Sequence, residues 1–371
     1  MATHASDRQL ADRVASLDVM RTIALFGIIV LNYHGYLNFQ FAGMTSAPSI
    51  FERWWHPFHG VLANPFPVGF VMVAGMGVAM MTQTDAQNAT AMRWRLARRG
   101  LFLFSLGYGI EWVWAGTILP YYGAYFLIAA VISVWSQKKL IALATFASLF
   151  AAGLQWWRID QLSVGNLTAW LSPSAPTSPR DLLIRLFIDY THPIFPWLTF
   201  FIVGILLGRS YPKIITSRRK VLFASVNMVA FAYFVNSVVN TTVRDGQTPD
   251  MRWSNFVSTR PLDRGLLYVT ASLGVVITVF MIVTILCEKF SGTLIMRLAQ
   301  VTGQMTLSIY LAHIFIYNIV VNQLKLVTPT GLDTAMVMSV VVYIAGVVWA
   351  NWWQQRFGRG PAERLYRHFG G

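Results

Sequence analysis

Residues 16–34 read Ser16-Leu17-Asp18-Val19-Met20-Arg21-Thr22-Ile23-Ala24-Leu25-Phe26-Gly27-Ile28-Ile29-Val30-Leu31-Asn32-Tyr33-His34. The run is long and apolar enough for a membrane-spanning helix, yet it opens on Asp18 and Arg21 and closes on Asn32 and His34. Charged groups are costly in a bilayer, so those inside a span pair, face a cavity or carry function. At about 100° per residue, Asn32 falls roughly 20° from Arg21, and Asp18 about 40° to the other side of Asn32. One helix face therefore carries an ion pair near one membrane surface and an amide near the other. His34 points roughly 140° away from Arg21, toward something else.

Composition extends that reading to the whole chain. It is 55% apolar and 12% charged, about half the charged fraction of a soluble domain. The expected fold class is all-α, a polytopic helical bundle in one domain over residues 1–371. Ten spans are expected, near 15–35, 66–84, 97–115, 118–136, 139–156, 193–209, 220–240, 265–287, 304–323 and 333–353. The longest connections are 36–65, 157–192 and 241–264. The first sixteen residues are polar, so no cleavable signal peptide is expected. The single cysteine, Cys287, excludes an internal disulfide.

A net charge of +14 would suggest nucleic acid in a soluble protein. Here most of the lysines and arginines fall on alternate connections, which places both termini in the cytoplasm and the protein in the cytoplasmic membrane. Nucleic acid is not an expected partner. A basic cytoplasmic rim, with Arg98 and Arg99 in it, also suits a phosphorylated co-substrate. The Pro/Ser run 172–179 cannot be helical throughout, whereas 180–190 has the spacing of a short interfacial helix.

Histidine suits acid–base or acyl-carrying chemistry because it titrates near neutrality. Five histidines fall at the outer face or within spans: His34, His56, His59, His192 and His313. Each also has a plain structural use. His34, beside Tyr33, suits an interfacial anchor; His192, before Pro193, suits a helix start; His313 suits an interhelical hydrogen bond. His56 and His59, in Trp54-Trp55-His56-Pro57-Phe58-His59-Gly60, are either an aromatic belt or a catalytic mouth. No carboxylate or thiolate pair lies near enough to complete a metal site, so no metal is expected. Glu111 either orients a histidine or pairs with an arginine such as Arg53. Walker, serine-hydrolase and zinc-protease signatures are missing.

Leu17-Asp18-x-x-Arg21, running through small and branched residues to Asn32, resembles the opening of two bacterial groups. These are the heparan-α-glucosaminide N-acetyltransferase-like proteins and the YeiB-like membrane family. Trp55-His56-Pro57-Phe58-His59-Gly60 with Phe66-Pro67 is similar to the loop and second span of the first group, Asn64 standing where an aspartate is usual. Pro193-Ile194-Phe195-Pro196-Trp197 and Gly303-Gln304-Met305-Thr306-Leu307-Ser308-Ile309-Tyr310-Leu311, with His313 following, resemble later family spans. Gly360-Pro361-Ala362-Glu363-Arg364-Leu365-Tyr366-Arg367 resembles the YeiB-like tail.

The resemblance implies acyl transfer from cytoplasmic acyl-CoA, most simply acetyl-CoA, to a hydroxyl or amine of a cell-envelope glycan, lipid or small molecule. It implies His56 as the catalytic histidine, supported by His59 and Glu111, and Asn32 as a donor to the thioester carbonyl. Asp18 and Arg21 then hold the inner architecture or the CoA end. Membrane lipids are expected partners, and a homo-oligomer stays open. A transporter of a small amphiphile and a non-catalytic scaffold remain as other readings of the same residues.

Overall fold

In the computed structural model the apolar runs are helices, and no strand occurs among the described residues. Those residues are 2–39, 54–56, 60, 65–84, 88–242, 251–260, 263–327 and 332–371. His59, Asn64 and Arg53 lie outside them. In chain order the helices are α1 (Ala2–Phe39), α2 (Pro65–Thr84), α3 (Ala89–Ile110), α4 (Leu119–Ile132), α5 (Gln137–Ser163) and α6 (Pro179–Phe187). Next come α7 (Ile194–Arg209), α8 (Tyr211–Thr216), α9 (Arg218–Thr242), α10 (Met251–Phe256) and α11 (Leu266–Lys289). The last are α12 (Leu294–Gln304), α13 (Thr306–Tyr317) with a π-helical continuation to Gln323, α14 (Leu332–Phe357) and α15 (Pro361–Gly370).

This is an all-α membrane protein, and the structure does not confirm the count of ten spans. Among the described residues six helices are long and apolar enough to cross a membrane, and seven if α12 and α13, bent by 75°, count as one broken span. The expected spans at 118–136 and 193–209 are α4, of 14 residues, and α7, of 16 residues. At 1.5 Å per residue these reach only about 21 and 24 Å, short of a hydrocarbon core of roughly 30 Å. Helix α3 is long enough, but Arg93, Arg95, Arg98 and Arg99 occupy its first half. Helix boundaries also depart from the apolar runs. Helix α5 continues to Ser163, and α10 forms inside the expected connection 241–264.

The chain divides into two compact units. One comprises residues 1–70 and 278–368. At its centre α1 packs against α12, α13 and α14, with Leu17, Leu25, Ile29, Tyr33 and Leu37 fully buried. Lipid tails are as apolar as leucine, so helix association here needs close packing and polar links rather than hydrophobic burial. Gly303 supplies the closest approach: a Cβ there would overlap the carbonyl of Asp18. Polar links supply the rest. Thr22 Oγ1 donates to the Ala299 carbonyl, and Tyr343 Oη donates to the Thr22 carbonyl at 3.2 Å.

The break between α12 and α13 leaves the first amides of α13 without helical partners. Met305, at the cap position, has no side chain to satisfy them. Glu363 of α15 does so instead: its Oε1 accepts from the Leu307 and Ser308 amides at 2.8 and 3.0 Å, and its Oε2 accepts from Ser308 Oγ. A carboxylate at a helix N-terminus is also favoured by the helix dipole.

The other unit comprises residues 71–277 and 369–371. Helices α3 and α4 form a tight pair, and α7 packs on α5 and α4. Gly204 admits the Met72 carbonyl, and Gly75 admits that of Phe201, so the small-residue spacing does serve close helix packing. Helix α9 has only 11% of its apolar window buried, against 72% for α1. The first therefore leaves most of its apolar residues uncovered by protein, whereas the second buries most of them.

Candidate functional site

The polar face of α1 meets the bent helix pair at both its ends. At the first, Arg21 Nη1 binds Asp18 Oδ1 at 2.7 Å, and Gln304 Nε2 donates to Asp18 Oδ2 at 3.0 Å. Gln354 of α14 in turn donates to Gln304 Oε1 at 3.3 Å. Asp18 is buried, while Arg21 keeps 29% of its side chain exposed. Both carboxylate oxygens are thus committed, and the guanidinium alone reaches outward.

At the other end the groups are an amide and an imidazole. Asn32 Nδ2 lies 3.1 Å from His313 Nε2. His313 Nδ1 binds the Tyr310 carbonyl within its own helix, and Tyr33 Oη donates to the His313 carbonyl at 2.8 Å. The imidazole sits between the Tyr33 and Tyr310 rings, at 5.7 and 4.9 Å, and is fully buried.

His34 leaves this face, as its angle on the helix dictates, and meets His56. The two rings are 5.6 Å apart and edge-on. Trp55 pins the loop that carries His56: it stacks on Phe66 at 5.5 Å and meets Phe26 edge-on at 6.0 Å. The Gly60 amide closes a turn on the His56 carbonyl at 2.8 Å. His34 is fully buried and His56 half-buried. Four expected site residues therefore form two pairs at residues 32–34 of α1, Asn32 with His313 on the polar face and His34 with His56 off it.

The remaining described residues of the expected site, Glu111, His192, Arg98 and Arg99, belong to the second unit. Glu111 pairs with Arg185, whose guanidinium lies over the Tyr190 ring at 3.6 Å. Asp189 bridges Arg158 and Arg264, each at 2.6 Å. Burial by itself would raise the Asp189 carboxyl, but Arg264, Ser172 and Arg158 outweigh it and hold the group below the usual carboxylate range. His192 packs edge-on against Trp197 at 4.6 Å, and its Nδ1 has no hydrogen-bond partner among the described residues. Burial and the nearby Arg264 push it down to about 3, so the ring is neutral at physiological pH. Arg98 is exposed and Arg99 half-buried; Gly370 packs on Arg99 and Gly371 on Arg98.

Sequence alone missed Gln304 and Glu363 as partners of the bent pair, and the three arginines that neutralise Glu111 and Asp189. Their partners are far apart in the chain, and no local spacing signals them. No group of three or more potential metal ligands occurs among the described residues.

Comparison with curated proteins returns no match. Two family models do match. Residues 219–370 match a family described as a protein of unknown function, DUF418. Residues 13–237, more than half the chain, match the heparan-alpha-glucosaminide N-acetyltransferase catalytic family. Asn32, His34 and His56 fall in the second match, and His313, Gln304 and Glu363 in the first. This chain thus belongs to the family of the heparan-alpha-glucosaminide N-acetyltransferase catalytic region.

Proposed function

We propose that the protein is an acetyl-CoA-dependent membrane acyltransferase acting on a hydroxyl or amine outside the cytoplasmic membrane. The observation that carries the reading is the placing of two polar pairs at residues 32–34 of α1, Asn32 with His313 and His34 with His56, within membrane-grade helices, in a chain of an acetyltransferase family. In the proposed step the acceptor oxygen or nitrogen attacks the thioester carbonyl carbon. His56 takes the acceptor proton. Asn32 donates an N–H to the carbonyl oxygen as negative charge develops there. The C–S bond breaks, CoA leaves as the thiolate and takes up the proton, and the acetylated acceptor remains.

His59 is proposed as a further acid–base group on the same loop. Glu111 and His192 belong to the second unit, where Glu111 has an arginine partner and His192 is neutral; both are proposed as acceptor-side groups. Arg98 and Arg99 in the second unit are proposed to bind CoA phosphates; in the first unit Arg21 is proposed for the same role, with Asp18 holding it in place. The bias of basic residues supports cytoplasmic termini.

Membranes expressing the protein, given acetyl-labelled acetyl-CoA, are expected to transfer label to the protein or an endogenous acceptor. His56→Ala is expected to lose that transfer. Equal labelling in both would remove His56 from the mechanism. A second reading, transport of a small amphiphile, is favoured by the broken α12–α13 pair, since interrupted helices commonly carry substrate sites in transporters. Uptake that survives His56→Ala and uses no acetyl-CoA would establish it.

A further inference from the structure

We propose that His313 is a positioning residue for Asn32: anchored through Nδ1 on the Tyr310 carbonyl, it presents a bare Nε2 that fixes which way the Asn32 amide faces. The inference rests on the role of Asn32 proposed above, and it follows from donor–acceptor accounting. Helix α13 places Tyr310 one turn before His313, where the ring Nδ1 meets its carbonyl. A carbonyl oxygen only accepts, so Nδ1 carries the ring proton. In a ring that carries one proton the opposite nitrogen, Nε2, is then a lone pair, 3.1 Å from Asn32 Nδ2. Only the amide nitrogen of Asn32 can answer it.

The amide is thereby locked with one N–H on His313. Its second N–H remains to donate to a reacting carbonyl. Were the amide turned over, Oδ1 would meet the His313 lone pair, and the group would lose its bond. The residue that sets this choice is itself held, its carbonyl by Tyr33 Oη and its ring between the tilted rings of Tyr33 and Tyr310. Such fixed orientation is what carbonyl stabilisation requires, because the donor must be aimed before charge develops. A purely structural interhelical bond contributes only modestly in a membrane bundle, too little to explain a large loss of rate.

The two conservative variants separate these roles. Gln at 313 puts an acceptor oxygen where Nε2 was, whereas Asn at 313 reproduces Nδ1 and offers Asn32 nothing. Full-length protein in lipid nanodiscs, assayed for CoA release from acetyl-CoA, is expected to lose kcat by about 100-fold in His313→Asn, with KM and the His313→Gln rate each within about threefold of wild type. The double variant Asn32→Ala/His313→Asn is expected to be no slower than Asn32→Ala alone. Equal losses in the Gln and Asn variants, multiplicative losses in the double variant, or a wild-type rate in His313→Asn would each overturn the proposal.

A readout independent of turnover guards against misfolded variants. In ¹⁵N-histidine NMR the signal that disappears in His313→Gln is expected to show the Nδ1–H tautomer, with its Nε2 line shifted in Asn32→Ala. An Nε2–H tautomer overturns the positioning role. Correct NMR signatures in a wild type that never consumes acetyl-CoA would keep the amide orientation but overturn the acyl-transfer reading, and the catalytic meaning of His313 with it.

Discussion

The two ends of the α1 polar face make opposite use of polar groups in an apolar setting. At the Asp18 end a charge pair is closed on itself: both carboxylate oxygens are taken, by Arg21 and Gln304, and Gly303 brings α12 hard against the helix. At the Asn32 end an amide meets an imidazole, Asn32 Nδ2 lying 3.1 Å from His313 Nε2, and off that face His34 meets the half-buried His56. Charge in a bilayer demands complete pairing. An amide and an imidazole can be placed in an apolar setting with fewer bonds than a charge demands, which is why the proposed chemistry is assigned to that end.

The contrast breaks first at Asp18. Asp18→Ala leaves Arg21 without its carboxylate and Gln304 without its acceptor. Removing one partner of a buried pair is expected to cost about 3–5 kcal/mol, read as loss of folded protein by size-exclusion and thermal unfolding. A fully stable Asp18→Ala protein would show that the pair is not structural. Asn32→Ala is the mirror case. It is expected to lose CoA release by about 100-fold while stability falls by only about 1 kcal/mol; a large drop in melting temperature with unchanged turnover would reverse the two ends.

A smaller effect tests the close approach at the charged end. Gly303→Ala forces a methyl against the Asp18 carbonyl and is expected to destabilise by about 1–3 kcal/mol, measured by thermal unfolding. Gly109 has nothing within reach of an added Cβ, so Gly109→Ala should not destabilise and serves as the control.

The smallest effect concerns Glu363, the carboxylate that caps α13. Glu363→Ala removes the cap and is expected to cost about 1 kcal/mol. Burial raises its carboxyl above the ordinary 4.5, against the pull of its bonds to Ser308 and Leu307. A carboxyl raised in the folded state stabilises most when protonated, below its unfolded value. That contribution is lost as pH climbs from about 4.5 through the raised value. Unfolding temperatures across this window are expected to fall in wild type relative to Glu363→Gln; parallel curves would refute the assignment.

Much of the helical class was legible because 55% apolar content in long runs leaves few alternatives. The span count was less so. Helices α4 and α7 read as spans from their apolar residues, but their lengths are set by where Pro120, Ser133, Phe195 and Ser210 fall and by what packs on them. At the candidate site the angle of Asn32 from Asp18 and Arg21 followed from helical periodicity, and so did the departure of His34 from that face. What His34 departs toward did not. His56 arrives from a separate loop, held by Trp55 on Phe66. Glu111 was left between a histidine and an arginine partner, and the choice of Arg185, 74 positions away, depended on the fold.

By itself the sequence determined that this chain is helical, belongs in a membrane and carries one polar face on its first long helix. Periodicity and transfer free energy act locally, and both can be read from consecutive residues. Tertiary structure decided which partner each polar group found: Gln304 for Asp18, His313 for Asn32, His56 for His34 and Glu363 for the exposed start of α13. Those choices depend on the bend between α12 and α13 and on contacts across hundreds of residues, where hydrogen-bond direction and packing distance, rather than residue type, select the pair.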